Sequence, residues 1–291
     1  MTISNADRAR ILVHALPYIK KYNGKIIVIK YGGNAMINEK LKNSVVRDIV
    51  LLNLIGVKVV LVHGGGPEIT EMLNKVGKET QFVDGLRVTD KETVDIAQMV
   101  LAGKINKNLV NLIECCGGNS IGLSGIDGHM IMAETKDERL GFVGKISSIN
   151  PKPILDVIEK GYIPVISTLG CDKNGNVYNI NADTAAAKFA AALKAESLIS
   201  LTDTGGILMD KNNPDTLISH ITVEETKKLI ADGVISDGMI PKVECCTNAI
   251  LDGVKKVFII DGRIPHSILI ETLTDEGIGT MFEGDDSNEC V

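Results

Sequence analysis

Two lysines stand where a soluble chain gains little from a cation. Lys30 closes the apolar run Ile26-Ile27-Val28-Ile29 and is followed at once by Tyr31-Gly32-Gly33. Lys242 comes just after Gly238-Met239-Ile240-Pro241, at the start of a helical pattern, where the helix dipole disfavours positive charge. A cation held against that preference points to an anionic partner. A lysine at a strand end can also simply snorkel to water, so neither residue alone specifies a site. The glycines add to the pattern. Three clusters, Gly32-Gly33, Gly64-Gly65-Gly66 and Gly205-Gly206, each follow an apolar run. A glycine turn between strand and helix presents backbone N–H groups at a positive helix end, which suits phosphate or carboxylate. One such cluster is most simply a tight turn. Three at the strand ends of one parallel sheet lie where ligands of such sheets bind.

Asn179-Ile180-Asn181-Ala182-Asp183-Thr184 opens an alanine-rich helical stretch. Asn181 or Asp183 would serve as its N-cap. The same amide-and-carboxylate group would also suit substrate binding and the orientation of lysines. Arg87, in Gly85-Leu86-Arg87-Val88-Thr89, falls in a hairpin pattern and has the planar fork that grips a carboxylate. A solvated surface Arg is equally consistent with that spacing. The histidines, at 14, 63, 129, 220 and 266, are scattered, with neither Ser-His-Asp nor metal-ligand spacing. His63 reads as a structural strand-end residue rather than a base. The chain has no G-x-x-x-x-G-K-[ST], which excludes a P-loop, and no G-x-G-x-x-G follows a strand, which disfavours a dinucleotide site.

These groups need elements to hold them, and the pattern alternates strand and helix. Strands are predicted at 25–31, 57–63, 120–124, 162–168, 197–202 and 256–260. Helices are predicted at 38–56, 67–76, 90–115, 151–160, 182–194, 223–232 and 239–252. This is the βαβ signature of an α/β fold with a parallel sheet covered by helices. Residues 120–150 read as short strands and turns, and Asp172-Lys173-Asn174-Gly175-Asn176 as a hairpin turn. No Pro-rich or Ser-rich linker divides the chain, so two lobes would share one continuous sheet, with a seam near residue 178. Residues 1–24 form a separate helical arm in which Ile11, Leu12, Leu16 and Ile19 recur near helical spacing and Pro17 imposes a kink. The acidic stretch Glu283–Val291 is expected to fray.

The 291 residues suffice for one large domain or two modest ones. The net charge of −6 disfavours general binding to nucleic acid, and 3% aromatic content with no Trp removes base-stacking platforms. The apolar runs are far shorter than the roughly 20 residues a membrane helix needs. The N-terminal residues show no secretory pattern. The six cysteines, at 115, 116, 171, 245, 246 and 290, include no C-x-x-C, so they read as reduced, buried small hydrophobes in a cytoplasmic protein.

Taken in order from about residue 25 to 282, six segments resemble the amino acid kinase family. They are Ile29-Lys30-Tyr31-Gly32-Gly33, Val62-His63-Gly64-Gly65-Gly66-Pro67, Gly85-Leu86-Arg87-Val88-Thr89, Tyr178-Asn179-Ile180-Asn181-Ala182-Asp183, Leu201-Thr202-Asp203 and Gly238-Met239-Ile240-Pro241-Lys242-Val243. The Gly-Leu-Arg-Val-Thr and Asn-x-Asn-Ala-Asp segments together are similar to its acetylglutamate branch. Tyr31 and Asn34 depart from the residues most frequent there, without removing a needed group.

The resemblance implies a three-layer αβα sandwich and phosphoryl transfer from ATP to the γ-carboxylate of N-acetyl-L-glutamate, a step of arginine biosynthesis. It implies Lys30 and Lys242 flanking the transferring group, with Asp183 holding both. Gly33, Gly65 and Gly66 would donate to phosphoryl and carboxylate oxygens, and Arg87, Asn179 and Asn181 would bind the acceptor. Gly32, Asp203, Gly206, Leu208, Gly238 and Met239 would line the nucleotide site, with Mg2+ carried on ATP and no protein metal site. Residues 25–178 would form the acceptor lobe and 179–291 the nucleotide lobe. Similarity to the arginine-inhibited members, carried by Leu16-Pro17-Tyr18-Ile19-Lys20-Lys21 and by His266–Met281, implies a hexamer built as three dimers through the arm. It also implies L-arginine held by Tyr18, His266, Glu271 and Gly277. A P-II-type partner has no support in the sequence. The nearest alternatives are glutamate 5-kinase, aspartokinase, carbamate kinase and uridylate kinase. The first two often carry extra C-terminal regulatory domains, for which no room is expected here. A non-catalytic sensor is opposed by the presence of Lys30, Asp183 and Lys242.

Overall fold

A computed structural model of the chain describes residues 4–36 and 38–285. Its centre is an eight-stranded sheet. From one edge the strands run His220–Thr222, Thr280–Glu283, Lys256–Asp261, Ser197–Thr202, Ile26–Tyr31, Lys58–His63, Ile163–Ser167 and Ser120–Ser124. Neighbours are parallel except where Thr280–Glu283 runs antiparallel to Lys256–Asp261. The four strands from residues 26–167 are contiguous, as are the four from residues 197–283, and they meet where Ile26–Tyr31 pairs with Ser197–Thr202.

Strand alternation sorts the core into two layers. Ile27, Ile29, Tyr31, Val59 and Leu61 face the helices Glu39–Leu54, Gly66–Lys75, Lys91–Gln98, Asn106–Cys115 and Ser267–Leu273. Val28, Val60, Val62, Leu198 and Val257 face Lys152–Glu159, Ala182–Ala192, Val223–Ala231 and Ile240–Leu251. The alanine face of Ala182–Ala192 (Ala185, Ala186, Ala187 and Ala190, all buried) lets that helix lie close to the centre of the sheet. With an odd-numbered set toward one layer, Lys30 must point into the other, toward this helix.

A four-stranded sheet lies beside the main one, formed by Val177–Asn179, Leu169–Cys171, Ile131–Thr135 and Gly144–Ile149. Its hairpin closes through the loop Asp172–Asn176, the turn read from the sequence, with Gly175 at positive φ. The predicted helix over 90–115 is not regular: Lys91–Gln98 and Asn106–Cys115 are joined by a π-helical segment, Met99–Ile105. Among the described residues, two strands outside the predicted set, His220–Thr222 and Thr280–Glu283, and the α-helix Ser267–Leu273 have no counterpart in the sequence reading. Of the tail expected to fray, Glu283 ends a strand, and residues 286–291 lie outside the described residues.

The arm consists of two helices, Asn5–His14 and Leu16–Tyr22, with Pro17 in the first turn of the second. Ile11, Leu12, Val13 and Leu16 are exposed, whereas Tyr22 is already part of the core. Cys171 and Cys246 are buried, but Cys115 is exposed, so the expectation of buried cysteines fails there, and Cys290 lies outside the described residues. No helix among the described residues is long and apolar enough to cross a membrane.

Candidate active site

Lys30 is where strand alternation puts it. Its Nζ lies 3.0 Å from Asp183 Oδ1, in the first turn of Ala182–Ala192, and the Lys30 side chain is nine-tenths buried. Ser200, directly beside Lys30 on the neighbouring strand, donates its hydroxyl to the same carboxylate oxygen at 3.4 Å. The ammonium sits under Gly32, where an added Cβ would be 3.6 Å from Nζ. Lys242 and Asp183 line one cavity of about 460 Å³. Lys242 nevertheless makes no ion pair with Asp183, so the expectation that Asp183 holds both lysines describes only Lys30. Both contacts of Asp183 are made by Oδ1 alone.

A second cavity, of about 190 Å³, gathers Gly65, Gly66, Arg87, Asn179 and Asn181, and shares Leu86 and Asn181 with the first. Arg87 is delivered by a two-stranded hairpin, Phe82–Val83 and Leu86–Arg87, whose Asp84-Gly85 turn has positive φ at both residues, as a right-twisted hairpin requires. Its guanidinium donates to Gly66 O at 2.8 Å, to Thr70 Oγ1 at 2.7 Å and to Thr80 Oγ1 at 3.2 Å, and lies 4.9 Å from the centroid of the Phe82 ring. Arg87 is buried, burial pulls its pKa down, and among the described residues no acidic side chain compensates it. A buried guanidinium without an acid, opening on a cavity, suits a carboxylate ligand.

The triglycine turn beside it has every carbonyl held on the protein side. Gly64 O contacts His63 Nδ1 at 3.0 Å, Gly65 O accepts from the Ile69 N–H at 3.0 Å, and Gly66 O accepts from Arg87 and from the Thr70 hydroxyl. Gly65 has no room for a side chain: a Cβ there would fall 2.1 Å from Ile105 Cδ1 and 2.9 Å from Leu101 Cδ2, both in the π segment. π-helical turns occur disproportionately at functional sites. His63 is fully buried and neutral, its pKa pushed down to about 4 by burial.

The other expected residues are more dispersed. Asn181 caps Ala182–Ala192, its Oδ1 accepting from the Thr184 N–H at 3.0 Å. Gly33, at φ +72°, faces the Asp203 carboxylate, 3.3 Å from where its Cβ would be. Gly206 is pressed against Thr280, whose Oγ1 accepts from the Ile207 N–H at 2.8 Å. Leu208 pairs with Leu217, and Met239, next to Gly238, caps the helix that begins Ile240-Pro241-Lys242. Neither cavity lined by Asp183, Lys242 or Arg87 includes Asp203, Gly206, Leu208 or Met239.

At the arm, the Tyr18 hydroxyl donates to Asp275. Glu271 Oε2 accepts from the Ile278 N–H at 2.9 Å and faces Gly277. The His266 Nδ1 lies 2.6 Å from Asp48 Oδ1. Burial raises the Asp48 carboxyl to about 6 against the opposing pull of His266. Sequence reasoning missed Ser200, Thr70, Thr80, Asn106, Asp48 and Asp275.

The model of the Amino acid kinase family matches residues 25–261. The acetylglutamate kinase of Brachyspira hyodysenteriae is 56% identical over 285 residues, which is 97% of this chain and 99% of that one. That of Desulforamulus reducens is 55% identical, over 97% of this chain and 100% of its own. That of Thermosynechococcus vestitus is 52% identical, over 97% and 96%. Among solved structures, N-acetylglutamate synthase from Neisseria gonorrhoeae, complexed with coenzyme A and N-acetyl-glutamate, superposes with a TM-score of 0.83 at 24% identity, over 94% of this chain and 63% of that longer one. Carbamate kinase from Giardia lamblia, bound to AMP-PNP, gives 0.67 at 20% identity, over 90% and 99%. At those identities the structures share the fold alone. The family match across most of the sequence, and relatives half or more identical along nearly all of it, place this chain in the amino acid kinase family, on its acetylglutamate kinase branch.

Proposed function

We infer that the chain transfers the γ-phosphoryl group of ATP to the side-chain carboxylate of N-acetyl-L-glutamate, forming an acyl phosphate in arginine biosynthesis. The observation that carries this reading is the acid-free, buried Arg87 sharing one small cavity with the Gly65-Gly66 turn, next to the cavity of Asp183 and Lys242. An acceptor carboxylate with an ordinary pKa near 4.3 is ionised at neutral pH, so the reaction needs no general base. The difficulty is bringing that anion to a phosphate, and catalysis reduces to positioning and charge stabilisation.

Arg87, with Asn179, holds the non-reacting carboxylate of the acceptor. The Gly65 and Gly66 N–H groups face the reacting oxygens. Lys30, fixed by Asp183, and Lys242 meet the charge that develops on the transferring group. The Gly33 N–H joins those of Gly65 and Gly66, and Asp203, Gly206 and the segment around Met239 belong to the nucleotide side. Magnesium enters as part of the ATP substrate. In this reading residues 25–178 form the acceptor lobe, with Asn179 completing the site at its edge, and residues 179–291 form the lobe of the nucleotide and effector sites. The arm joins dimers into a cytoplasmic hexamer, and L-arginine binds between the arm and the C-terminal lobe, against Tyr18, His266, Glu271 and Gly277, favouring an arrangement that binds substrates less well.

A hydroxamate trap for acyl phosphate, run with N-acetylglutamate, glutamate, aspartate and carbamate, tests the reaction. Product from N-acetylglutamate well above the others is expected. Faster turnover of any of the other three would sink the reading.

A further inference from the structure

The triglycine turn is aimed from behind. His63 ends the strand Lys58–His63 and points into the helical layer opposite to Lys30 and Asp183. Its ring is pinned at both nitrogens: Nδ1 lies 3.0 Å from Gly64 O, and Nε2 lies 3.1 Å from Asn106 Nδ2. A carbonyl oxygen can only accept, so the proton sits on Nδ1 and is donated to Gly64 O, which leaves Nε2 as an acceptor facing the Asn106 amide, whose two hydrogens are shared among Nε2 and two carbonyls. Asn106 is itself immobilised, its Nδ2 also within 3.1 Å of Leu123 O and 2.8 Å of Val165 O, its Oδ1 accepting from Lys107 Nζ at 3.1 Å. It is the first residue after the π segment, which sets its position on the helix.

A trans peptide is planar, with C=O and N–H pointing in opposite directions, and no cis bond is present among the described residues. Holding Gly64 O against His63 therefore turns the Gly65 N–H the other way, toward the side where Asn181 and Ala182 border the cavity. We propose that His63 is a positioning residue: held in one tautomer between Gly64 O and Asn106, it fixes the Gly64–Gly65 peptide so that the Gly65 N–H points at the reacting oxygens. This rests on the proposed reaction and deepens it, assigning a role to a residue that touches neither substrate. It also separates His63 from acid–base work. The imidazole has no proton to exchange with the cavity, because both nitrogens face away from it.

The test uses the full chain and two variants, assayed with N-acetylglutamate and ATP. His63→Leu removes the donor to Gly64 O. His63→Asn places an amide N–H near the position of Nδ1 and restores it. The Leu variant should lose tenfold or more in kcat, with KM for ATP changed less than threefold, and the Asn variant should recover to within fivefold of the parent. The parent's kcat should also show no titrating limb between pH 5.5 and 7. Full turnover in the Leu variant, an Asn variant impaired more than fivefold, or a limb in that range abolished by the Asn substitution would each overturn the proposal. If the Leu variant fails to fold, the Asn variant and the pH profile decide alone. A parent that ignores N-acetylglutamate refutes the reaction instead, and the variants are then compared on the acceptor it does use.

Discussion

Lys30 and Lys242 are held differently, and that difference can be measured. Lys30 is buried and paired with Asp183, whereas Lys242 has no acidic partner among the described residues. Replacement of either by Ala should lower kcat about 10²-fold, on the scale of a lost oxyanion donor. Lys30→Arg should not restore it, because a planar fork does not fit under Gly32 as a compact ammonium does. Turnover within a few-fold of the parent in both Ala variants would remove the lysines from the mechanism. Arg87→Ala should act on the acceptor side, raising KM for N-acetylglutamate about tenfold or more while KM for ATP moves less than about threefold. The reverse pattern would move Arg87 to the nucleotide. Lys30, Asp183 and Arg87 were legible because a charged residue beside glycines or at a strand end is conspicuous. Ser200, Thr70 and Thr80 were not. They are neutral hydroxyls of a common kind, and what they do depends on strand register and on a hairpin folding over a helix.

The π segment explains why one element looked regular in sequence and is not. Residues 90–115 keep an apolar periodicity throughout, and a π turn shifts the helix face without altering composition. That shift presses Ile105 and Leu101 against Gly65. Gly65→Ala should cost about 1–3 kcal/mol of stability as an overpacked site, whereas Gly66→Ala, which opens on free space, should cost less than about 1 kcal/mol. Urea midpoints compare the two, and equal costs would show that the contact yields freely.

His63 makes a pH prediction at the same scale. Its folded pKa of about 4 lies below the ordinary 6.5, so the unfolded chain binds the proton first. Its contribution is present above 6.5 and lost as pH falls toward 4, about 3 kcal/mol in total. Asp48 runs the other way. Its folded pKa of about 6 lies above the ordinary 3.8, so its contribution is present at low pH and lost as pH rises through 6. His63→Asn should flatten the acid side of the stability curve relative to the parent. An unchanged slope would mean that the imidazole is not kept neutral by the fold. The strands His220–Thr222 and Thr280–Glu283 escaped sequence reading because three or four residues cannot display a period.

At the scale of the whole molecule, the arm is the conspicuous exposed feature. Ile11, Leu12 and Val13 are 58%, 70% and 63% exposed, and apolar side chains clustered in the open mark a surface for a partner. Tyr22 already packs in the core, so the informative truncation ends before residue 17. Removing residues 1–16 should leave an active enzyme of smaller assembly size by light scattering. Within the full-length chain, Tyr18→Ala should weaken inhibition by L-arginine. A truncated chain of unchanged size would give the arm another role, and unchanged inhibition in the Tyr18 variant would move the effector site. The parallel sheet with helices on both faces was legible throughout its long strands. Its strand order was not, because order is set by crossovers that leave no local mark.

The antiparallel strand Thr280–Glu283 lies inside the sheet, between Lys256–Asp261 and His220–Thr222, and Thr280 also ties down the Ile207 N–H. During synthesis the chain therefore makes an outer strand, at 220–222, some sixty residues before the strand that pairs with it exists. At about 5–20 residues per second, that strand waits unpaired for roughly 3–12 s. The strands at 26–31, 58–63, 120–124 and 163–167 have all emerged by then, so one flank of the sheet can assemble while the other is open. Nascent chains stalled before residue 280 should accordingly resist protease over residues 25–167 and be cut within 203–255. Uniform resistance at that length would mean that the outer strand docks without its neighbour.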